Sequence, residues 1–530
     1  MDILQSMDPS LKKLNVLFSF SEFFSLRNLY IEKYIHAICN KSAQMRLYSL
    51  KKGDFGLLFT GLFGLLGVAL FIGIAGPSVT SVTEVQVHDE EPYIPGGPFA
   101  FQLPEVTAYN QEFWVLAQIT TANKDDETYE RKFHVNVCAY NVLESNFKDQ
   151  EHEWFMSQNQ ERFLSCQQQE CSDIYIYHAK QIGNGVYVLN ITFSGLEHIH
   201  MRYTIEKIAF QFVTYNSDFS TIELWMRMLF VFATLIVSAF YFHNVRKYPF
   251  SVLTIEQRWT YALLPLLLLY NNPLLTVKYL SKSSFWYFMD SLFQASFLCG
   301  LLLFWLCIYH GLRQNERSFL IFYSPKITVV GTLWLLAVTV ETTQNSRELE
   351  DPTYTYVELG MMNVFESIVW VAICMLDKLF QLILSQILSF NSVYTVVYLG
   401  VYNYIRLKFT TFLMLLVLVA TITITVNRFD LTLANDRFAV DWAVGHSSSL
   451  EFIGYYSLLN FYIFAMALVY APPPIGCEQG VIVLTQCFSV KSESQDQNIA
   501  KSGADGKSKI RGTAGTPTVF SSAEYYQVRM

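Results

Sequence analysis

Eight apolar stretches punctuate the chain, and a polar segment from Pro77 to Glu223 separates the first from the other seven. The first runs from Phe55 to Gly76. The later ones are Leu224 to Phe242, Trp259 to Leu275, Ser291 to Gly311, Ile327 to Thr343, one within Val364 to Ile405, Phe409 to Val426, and Phe452 to Tyr470. A lipid-exposed backbone must hydrogen-bond to itself, and a hydrocarbon core of about 30 Å requires about 20 apolar helical residues. Each stretch therefore predicts a membrane-spanning helix. Val364 to Ile405 is too long for one span and contains Asp377 and Lys378, whose burial in lipid is costly. Two spans there would carry Arg406 and Lys408 to the wrong side of the membrane, so one span is assigned, with an interfacial helix or a protein-covered kink beside it.

Between Pro77 and Glu223 the pattern changes from continuous to alternating. Phe133, Val135, Val137 and Ala139 share one face of a strand while His134, Asn136 and Cys138 take the other. Similar runs occur at Phe113 to Ile119, Ile174 to Tyr177, Val186 to Ile191 and Ile205 to Val213, and Gly183-Asn184-Gly185 predicts a hairpin turn. Short strands without long helices predict a β-sandwich large enough to hold its own core. The organisation read from the pattern is a segment 1–54, a first helix 55–76, a β domain 77–223, a helical bundle 224–470 and a tail 471–530.

Composition agrees with this class: 52% of residues are hydrophobic and only 15% charged, with a mean hydropathy of +0.26. The first apolar run is longer than that of a secretory signal and more than fifty residues precede it, so it reads as an uncleaved signal anchor. Lys and Arg are retained on the cytosolic side of a membrane. Arg246, Lys247 and Arg258 follow the second span, Arg313, Arg317 and Lys326 the fourth, and Arg406 and Lys408 precede the seventh. Glu348, Glu350, Asp351, Glu358, Asp430, Asp436 and Asp441 lie in alternate loops, with Lys278, Lys282, Arg428 and Arg437 on the same side. The balance predicts cytosolic termini and a lumenal β domain. Asn190-Ile191-Thr192 is then a glycosylation acceptor, and Cys166 with Cys171 would close a small loop in an oxidising compartment. Cys166 could instead pair with Cys138, and three lumenal cysteines leave one over.

No hydrolytic, redox or phosphate-binding signature is present, and no catalytic residue, cofactor or metal is assigned. Glu197-His198-Ile199-His200, with His134, His152 and His178, is the nearest approach to a metal site, because His198 and His200 would share a strand face. A solvated strand face is the preferred reading. Polar groups at the membrane edge are better candidates. Glu223 and Arg227 stand four residues apart in the favourable order for a helical ion pair. Asn271 and Asn272 end the third span, Asp290 opens the fourth and Gln294 lies one turn deeper. Together these six could line a lumen-facing vestibule, though caps and interfacial anchors account for each singly. Gly61, Gly64, Gly67 and Gly73 would let a helix of the same bundle approach the first span. The tail from Lys491 has the composition of a disordered segment. On it, Tyr525 and Val528 could form a tyrosine-based sorting signal for coat adaptors, and Cys477 and Cys487 are palmitoylation candidates. The net charge of −8 is spread along the chain and suggests no nucleic-acid partner.

Several strings carry a resemblance. Lys12-Lys13, the run Tyr34 to Ser42, the runs Leu263-Leu264-Pro265 and Tyr270-Asn271-Asn272-Pro273, the run Phe304 to Gly311, and Leu458-Leu459-Asn460-Phe461-Tyr462 resemble the transmembrane protein 181 family, over residues 7–475. That family is similar in turn to Wntless and other seven-helix proteins with a lumenal Golgi-dynamics (GOLD-like) sandwich. The chain departs from the family pattern over Met361 to Tyr404 and beyond Cys477. The resemblance implies a multi-pass α-helical membrane protein, with a seven-helix Wntless-like bundle, one amino-terminal signal-anchor helix and an inserted all-β GOLD-like sandwich. It further implies residence in Golgi, endosomal and plasma membranes. The function expected is that of a trafficking receptor or chaperone, with membrane lipid and a secreted or membrane protein client as partners. The alternative is a seven-helix cell-surface receptor coupled to G proteins. Asp-Arg-Tyr after the third of the seven helices and Asn-Pro-x-x-Tyr in the last are not found.

Overall fold

The computed structural model describes residues 45–50, 52–88, 96–103, 105–122, 128–142, 154–180, 182, 184–281, 283–313, 319–350, 409–424 and 446–473. The sixth span, His152, Cys477, Cys487, Tyr525 and Val528 lie outside them.

Helix α1, Lys52–Ala75, is apolar on every side and stops just before Pro77, which has no N–H to continue the ladder. The chain passes straight into β1, Thr80–His88. The remaining strands are β2 (Phe99–Gln102), β3 (Phe113–Thr121), β4 (Thr128–Val142), β5 (Trp154–Gln167), β6 (Glu170–Cys171), β7 (Ile174–Ala179), β8 (Val186–Ser194) and β9 (Ile205–Tyr215). They form an antiparallel sheet in the order β1-β9-β3-β6-β5-β4-β8-β2, with β7 also paired to β3. The sheet folds over on itself, so that Phe101 of β2 stands 4.6 Å from Phe210 of β9 and Phe193 of β8 stacks on the same ring at 6.0 Å. The expected sandwich is therefore continuous, its layers joined through the short β6. Val135, Val137, Leu189 and Ile191 from one layer and Val115, Ala117, Ile208 and Phe210 from the other fill its core.

Two local readings change. Glu197-His198-Ile199-His200 lies on a helix, α2 (Leu196–Tyr203), entered through Gly195 at φ +93°. The deciding pattern is Leu196, Ile199 and Tyr203, spaced for one helical face and buried. His198 and His200 therefore diverge by about 200° around the axis instead of sharing a face. His200 Nδ1 accepts from Ile205 N at 3.0 Å, which ties α2 to β9. Strand β3, expected to be half-buried, is buried on both faces. Phe113, Val115, Ala117 and Ile119 enter the sandwich core, while Trp114 and Leu116 join the apolar cluster of the helix bundle.

Helices α3 (Ser217–Val245), α4 (Ile255–Tyr270), α5 (Leu275–Leu280), α6 (Ser284–Arg313), α7 (Ser324–Glu350), α8 (Phe409–Ile424) and α9 (Ser449–Tyr470) follow. Among the described residues five stretches are long and apolar enough to cross a membrane: Gly53–Ala75, Ser217–Val245, Ile255–Tyr279, Phe285–His310 and Ser449–Tyr470. Ser324–Thr339, within α7, and Phe409–Ile424 are shorter apolar helical stretches. Helix α9 is 78% buried over its apolar window against 17% for α1, so α9 is the central element and α1 a peripheral one.

Helices α1 and α9 touch through glycine. A Cβ on Gly73 would meet Leu450 Cα at 2.8 Å, one on Gly76 would meet Ser449 Cβ at 2.8 Å, and Ser449 Oγ donates to Pro77 O. Gly61, Gly64 and Gly67 face open space. Only one of the four glycines singled out in the first span, Gly73, therefore makes a close helix approach. Gly73→Ile is expected to destabilise the full chain by about 1–3 kcal/mol through overpacking. Gly64→Ala should be neutral or stabilising by up to about 1 kcal/mol. Tryptophan-fluorescence melts of the two variants in detergent measure the contrast.

Candidate functional site

The β domain and the helices meet at a junction that begins with chain continuity. Strand β9 runs directly into α3, whose Asn216 cap accepts from Asp218 N at 3.0 Å and whose own N–H bonds Val79 O at 2.9 Å. Because β1 and β9 pair from Thr80 and Tyr215 onward, the strands following α1 and preceding α3 form one ladder rising from the two helices.

Next to this ladder a single turn, Ala108–Asn110, positions Gln111 at φ 53° and ψ −64°, a conformation costly for a residue with a Cβ. The turn is held by a capping box between Thr107 and Asn110 and by Asn110 Nδ2 donating to Tyr215 O at 3.0 Å. Gln111 thereby reaches the bundle. Its Nε2 donates to Ser220 Oγ at 2.8 Å and to Glu223 Oε2 at 3.2 Å, and its Oε1 accepts from Lys278 Nζ at 3.3 Å.

Arg227, 5% exposed, is the centre of the polar cluster below. It donates from Nη2 to Glu223 Oε1 at 2.9 Å and from Nη1 to Asp290 Oδ1 at 3.2 Å. Its guanidinium also lies 5.9 Å from the Phe452 ring centre and 5.6 Å from that of Tyr456, within cation–π range. Asn272 donates to the same Asp290 oxygen at 2.9 Å while its own Oδ1 accepts from Leu274 N at 3.1 Å, an Asx turn that suits its φ of +49°. Glu223 and Asp290 are balanced by Arg227 and Lys278, and Lys278 Nζ stands 4.3 Å from the Tyr287 ring centre. Helices α3, α5 and α6 and the turn after α4 thus contribute to one electroneutral cluster.

Asn271 belongs to a separate network. Its Nδ2 donates to Thr234 Oγ1 and Asn460 Oδ1, both at 2.8 Å, and Asn460 Nδ2 returns a bond to Asn271 Oδ1 at 3.1 Å. Both asparagines are fully buried, and the pair joins α3, α4 and α9. Gln294 is half-buried one turn along α6 and takes no part in either network among the described residues.

A second buried pair stands on the β-domain side. His178 Nε2 lies 2.9 Å from Glu112 Oε2, and the imidazole stacks on Trp114 at 5.0 Å. Tyr287 of α6 donates to Lys180 O at 2.7 Å, so the chain after β7 is also bonded to the bundle. Burial pushes the Glu112 carboxyl up, but the His178 hydrogen bond and the positive charges of Lys180, His178 and Lys278 outweigh it and hold the group below the usual carboxylate range.

Five of the six membrane-edge candidates fall in these two networks, but they close the junction where an open vestibule was expected. Asn271 and Asn272 are 0% and 4% exposed, and the void beside Gln111, Lys278, Tyr279 and Tyr287 has a volume of about 30 Å³. That is room for an ordered water and not for a ligand. The metal reading loses its geometry, since His178 is committed to Glu112, and no group of three ligand-type residues occurs among the described residues. Cys166 is joined to Cys171, its register partner across β5 and β6, and Cys138 is unpaired on β4. Asn190 sits on β8 between β2 and β4 and is half-buried. Gln111, Lys278, Glu112, Thr234 and Asn460 were not singled out as site residues. An asparagine inside the apolar run of α9 was the readable signal among them.

The comparisons divide the molecule at the same place. The family model of a Wntless-like transmembrane domain matches residues 216–474, and that of the TMEM181 GOLD domain matches residues 97–215. Transmembrane protein 181 of Homo sapiens is 34% identical over 464 residues, 86% of this chain and 94% of the human protein. The chain belongs to the transmembrane protein 181 family. It is a multi-pass membrane protein with a GOLD domain and a Wntless-like bundle, and the family boundary at 215 and 216 is the point where β9 becomes α3. Gln111, Glu112 and His178 stand on the GOLD side; Glu223, Arg227, Asn272, Lys278 and Asp290 stand on the Wntless-like side. The cluster is therefore the bond between the two modules.

Arg227→Met leaves two buried carboxylates facing each other, and breaking a buried pair costs about 3–5 kcal/mol. Glu223→Gln, Arg227→Met and Asp290→Asn combined should recover most of that loss, as read from melting temperatures of the full chain. A carboxylate held low in the fold stabilises at pH above its unfolded value and loses that contribution as pH falls through its folded value. The wild-type melting temperature should therefore drop as the pH falls below the ordinary carboxylate value of 4.5. Glu112→Gln should flatten that part of the profile.

Proposed function

We propose that this protein is a trafficking receptor of the secretory pathway that binds a secreted or membrane client through its GOLD domain. On this reading the GOLD domain faces the lumen, both termini face the cytosol, and the protein travels among Golgi, endosomal and plasma membranes. Its work is binding, not catalysis. Tail residues Tyr525 and Val528 would then engage coat adaptors.

The observation that carries the reading is the outer edge of β1. This strand has nine residues, pairs with β9 on one side and has no partner on the other among the described residues. Val82 and Val85 are 47% and 37% exposed, and Glu84 is the strand's one acidic side chain. A long edge of unpaired N–H and C=O groups is a template for an added strand, and native proteins usually blunt such edges with lysine or proline. None stands in β1. Because β1 follows α1 directly, a client strand added there would be held close to the membrane, on a domain that the Arg227 cluster fixes to the bundle.

Two measurements test this. Asn190→Gln should abolish an endoglycosidase-sensitive mobility shift of the wild-type chain; absence of any glycan would count against a lumenal GOLD domain. Proximity labelling from the GOLD domain should recover secreted or membrane proteins, and Val82→Lys with Val85→Lys should deplete them several-fold at unchanged expression. Equal recovery by the double variant would remove β1 from the binding surface.

A further inference from the structure

The end of the bundle farthest from the GOLD domain is built differently from the junction. There the last turn of α3, the loop 246–254 and the first turns of α4 border an open cavity of about 490 Å³ lined by Ala239, Phe242, His243, Arg246, Phe250 and Tyr261, among others. Its lining contains no carboxylate. Arg246 is exposed, as is Lys247 beside it, and neither side chain has a hydrogen-bond or ion-pair partner among the described residues. The aromatic wall is ordered, with Phe242 and Tyr261 at 4.7 Å and Phe250 held under the Arg258 guanidinium at 5.2 Å, while Arg258 Nη2 donates to Ser251 O at 2.9 Å. Phe250 and Tyr261 nonetheless remain 58% and 43% exposed at the rim.

We propose that this cavity binds the headgroup of an anionic phospholipid, in the leaflet opposite the GOLD domain. Three features select that occupant. The first is charge: an unpaired guanidinium beside an imidazole and an ammonium, without a carboxylate in the wall, complements a phosphodiester and its further negative group. The second is size. The cavity is in the range of small-molecule sites and holds a headgroup with its glycerol, but not two acyl chains. The third is continuity with a surface for those chains. Leu229, Phe232 and Ile236 are 60%, 59% and 70% exposed, and with Ala239 and His243 they form one stripe at helical spacing that runs along α3 into the cavity mouth. A soluble phosphate would use the charge and leave the stripe and the aromatic rim unexplained. The inference does not rest on the client-binding reading above.

The test uses the delipidated full chain in a non-ionic detergent and native mass spectrometry, titrating dioleoyl-phosphatidylserine or dioleoyl-phosphatidylcholine. The serine lipid should bind at least about fivefold tighter, the factor corresponding to one basic side chain at an anionic surface. Arg246→Glu should bring it to the level of the choline lipid. Arg131→Glu, on an exposed position of β4, should leave the preference unchanged. Should Arg246→Glu fail to fold, His243→Ala with Lys247→Ala supplies the same comparison and should reduce the preference. Equal binding of both lipids by the wild type, or a preference that survives these changes, would overturn the site. Displacement of the serine lipid by millimolar inorganic phosphate as well as by serine lipid would overturn the lipid assignment in favour of a simple anion site.

Discussion

A guanidinium placed among apolar helices loses hydration worth several kcal/mol, and Coulombic attraction offsets that loss only where partners are close and fully hydrogen-bonded. Arg227 approaches this condition: its two terminal nitrogens are bonded to carboxylates, an aromatic face on α9 lies beside it and a second cation, Lys278, restores neutrality, while its Nε is buried without a hydrogen-bond partner among the described residues. The requirement reaches outward. Asp290 is also held by Asn272, whose φ of +49° is supported by its own Asx turn. Glu223 accepts from Gln111, which is in an unfavourable backbone conformation. Two non-glycine residues at positive φ therefore stand in one cluster because each supplies a hydrogen bond to a carboxylate that Arg227 requires. The charge network selects the backbone at the junction.

The same cluster adds to the attachment of the GOLD domain. The hand-over from α1 to β1 and from β9 to α3 supplies two covalent connections, and two connections alone leave a hinge. Gln111, together with Tyr287 bonding Lys180 O, adds bonds from a different part of the sheet. Trp114 and Leu116 then close the gap with apolar area, which is why β3 is buried on both faces. A strand with water on one face would alternate, whereas a strand between a sandwich core and a helix bundle must be apolar throughout. The run Phe113 to Ala117 has that character.

Legibility followed the range of the interaction. The helices at 52–75, 217–245, 284–313 and 449–470 could be read because the bilayer imposes a length on each separately. The pair Glu223 and Arg227 could be read because i and i+4 are neighbours on any helix. Asp290 was recognised only as a group at the same depth, since the turn through Asn272 and Pro273 determines that it meets Arg227. Gln111 could not be read at all. It lies in irregular chain between strands, and its role depends on a turn held by Asn110 and by Asn184, which accepts from Ala108 N. The histidines at 198 and 200 were misplaced for another reason. Histidine carries no period; the period lies in the apolar positions 196, 199 and 203, which are helical.

The two ends of the bundle differ in what their charges are for. At the GOLD end two carboxylates and two cations sit close together, largely out of water, and such a cluster gains little by admitting a ligand, because any ion entering would break a neutral set. At the other end Gln257 donates to Tyr470 O, Tyr241 to Gln257 O, the Arg46 N–H to Ala471 O and Arg258 to Ser251 O, so the helix ends are tied together without Arg246 or Lys247. Arg246 and Lys247 are consequently left over from the packing. At the GOLD end the charges are buried and paired, whereas Arg246 and Lys247 remain exposed beside an aromatic-walled cavity. Fixing the GOLD domain therefore falls to the first set, and any contact with an anionic membrane surface falls to the second.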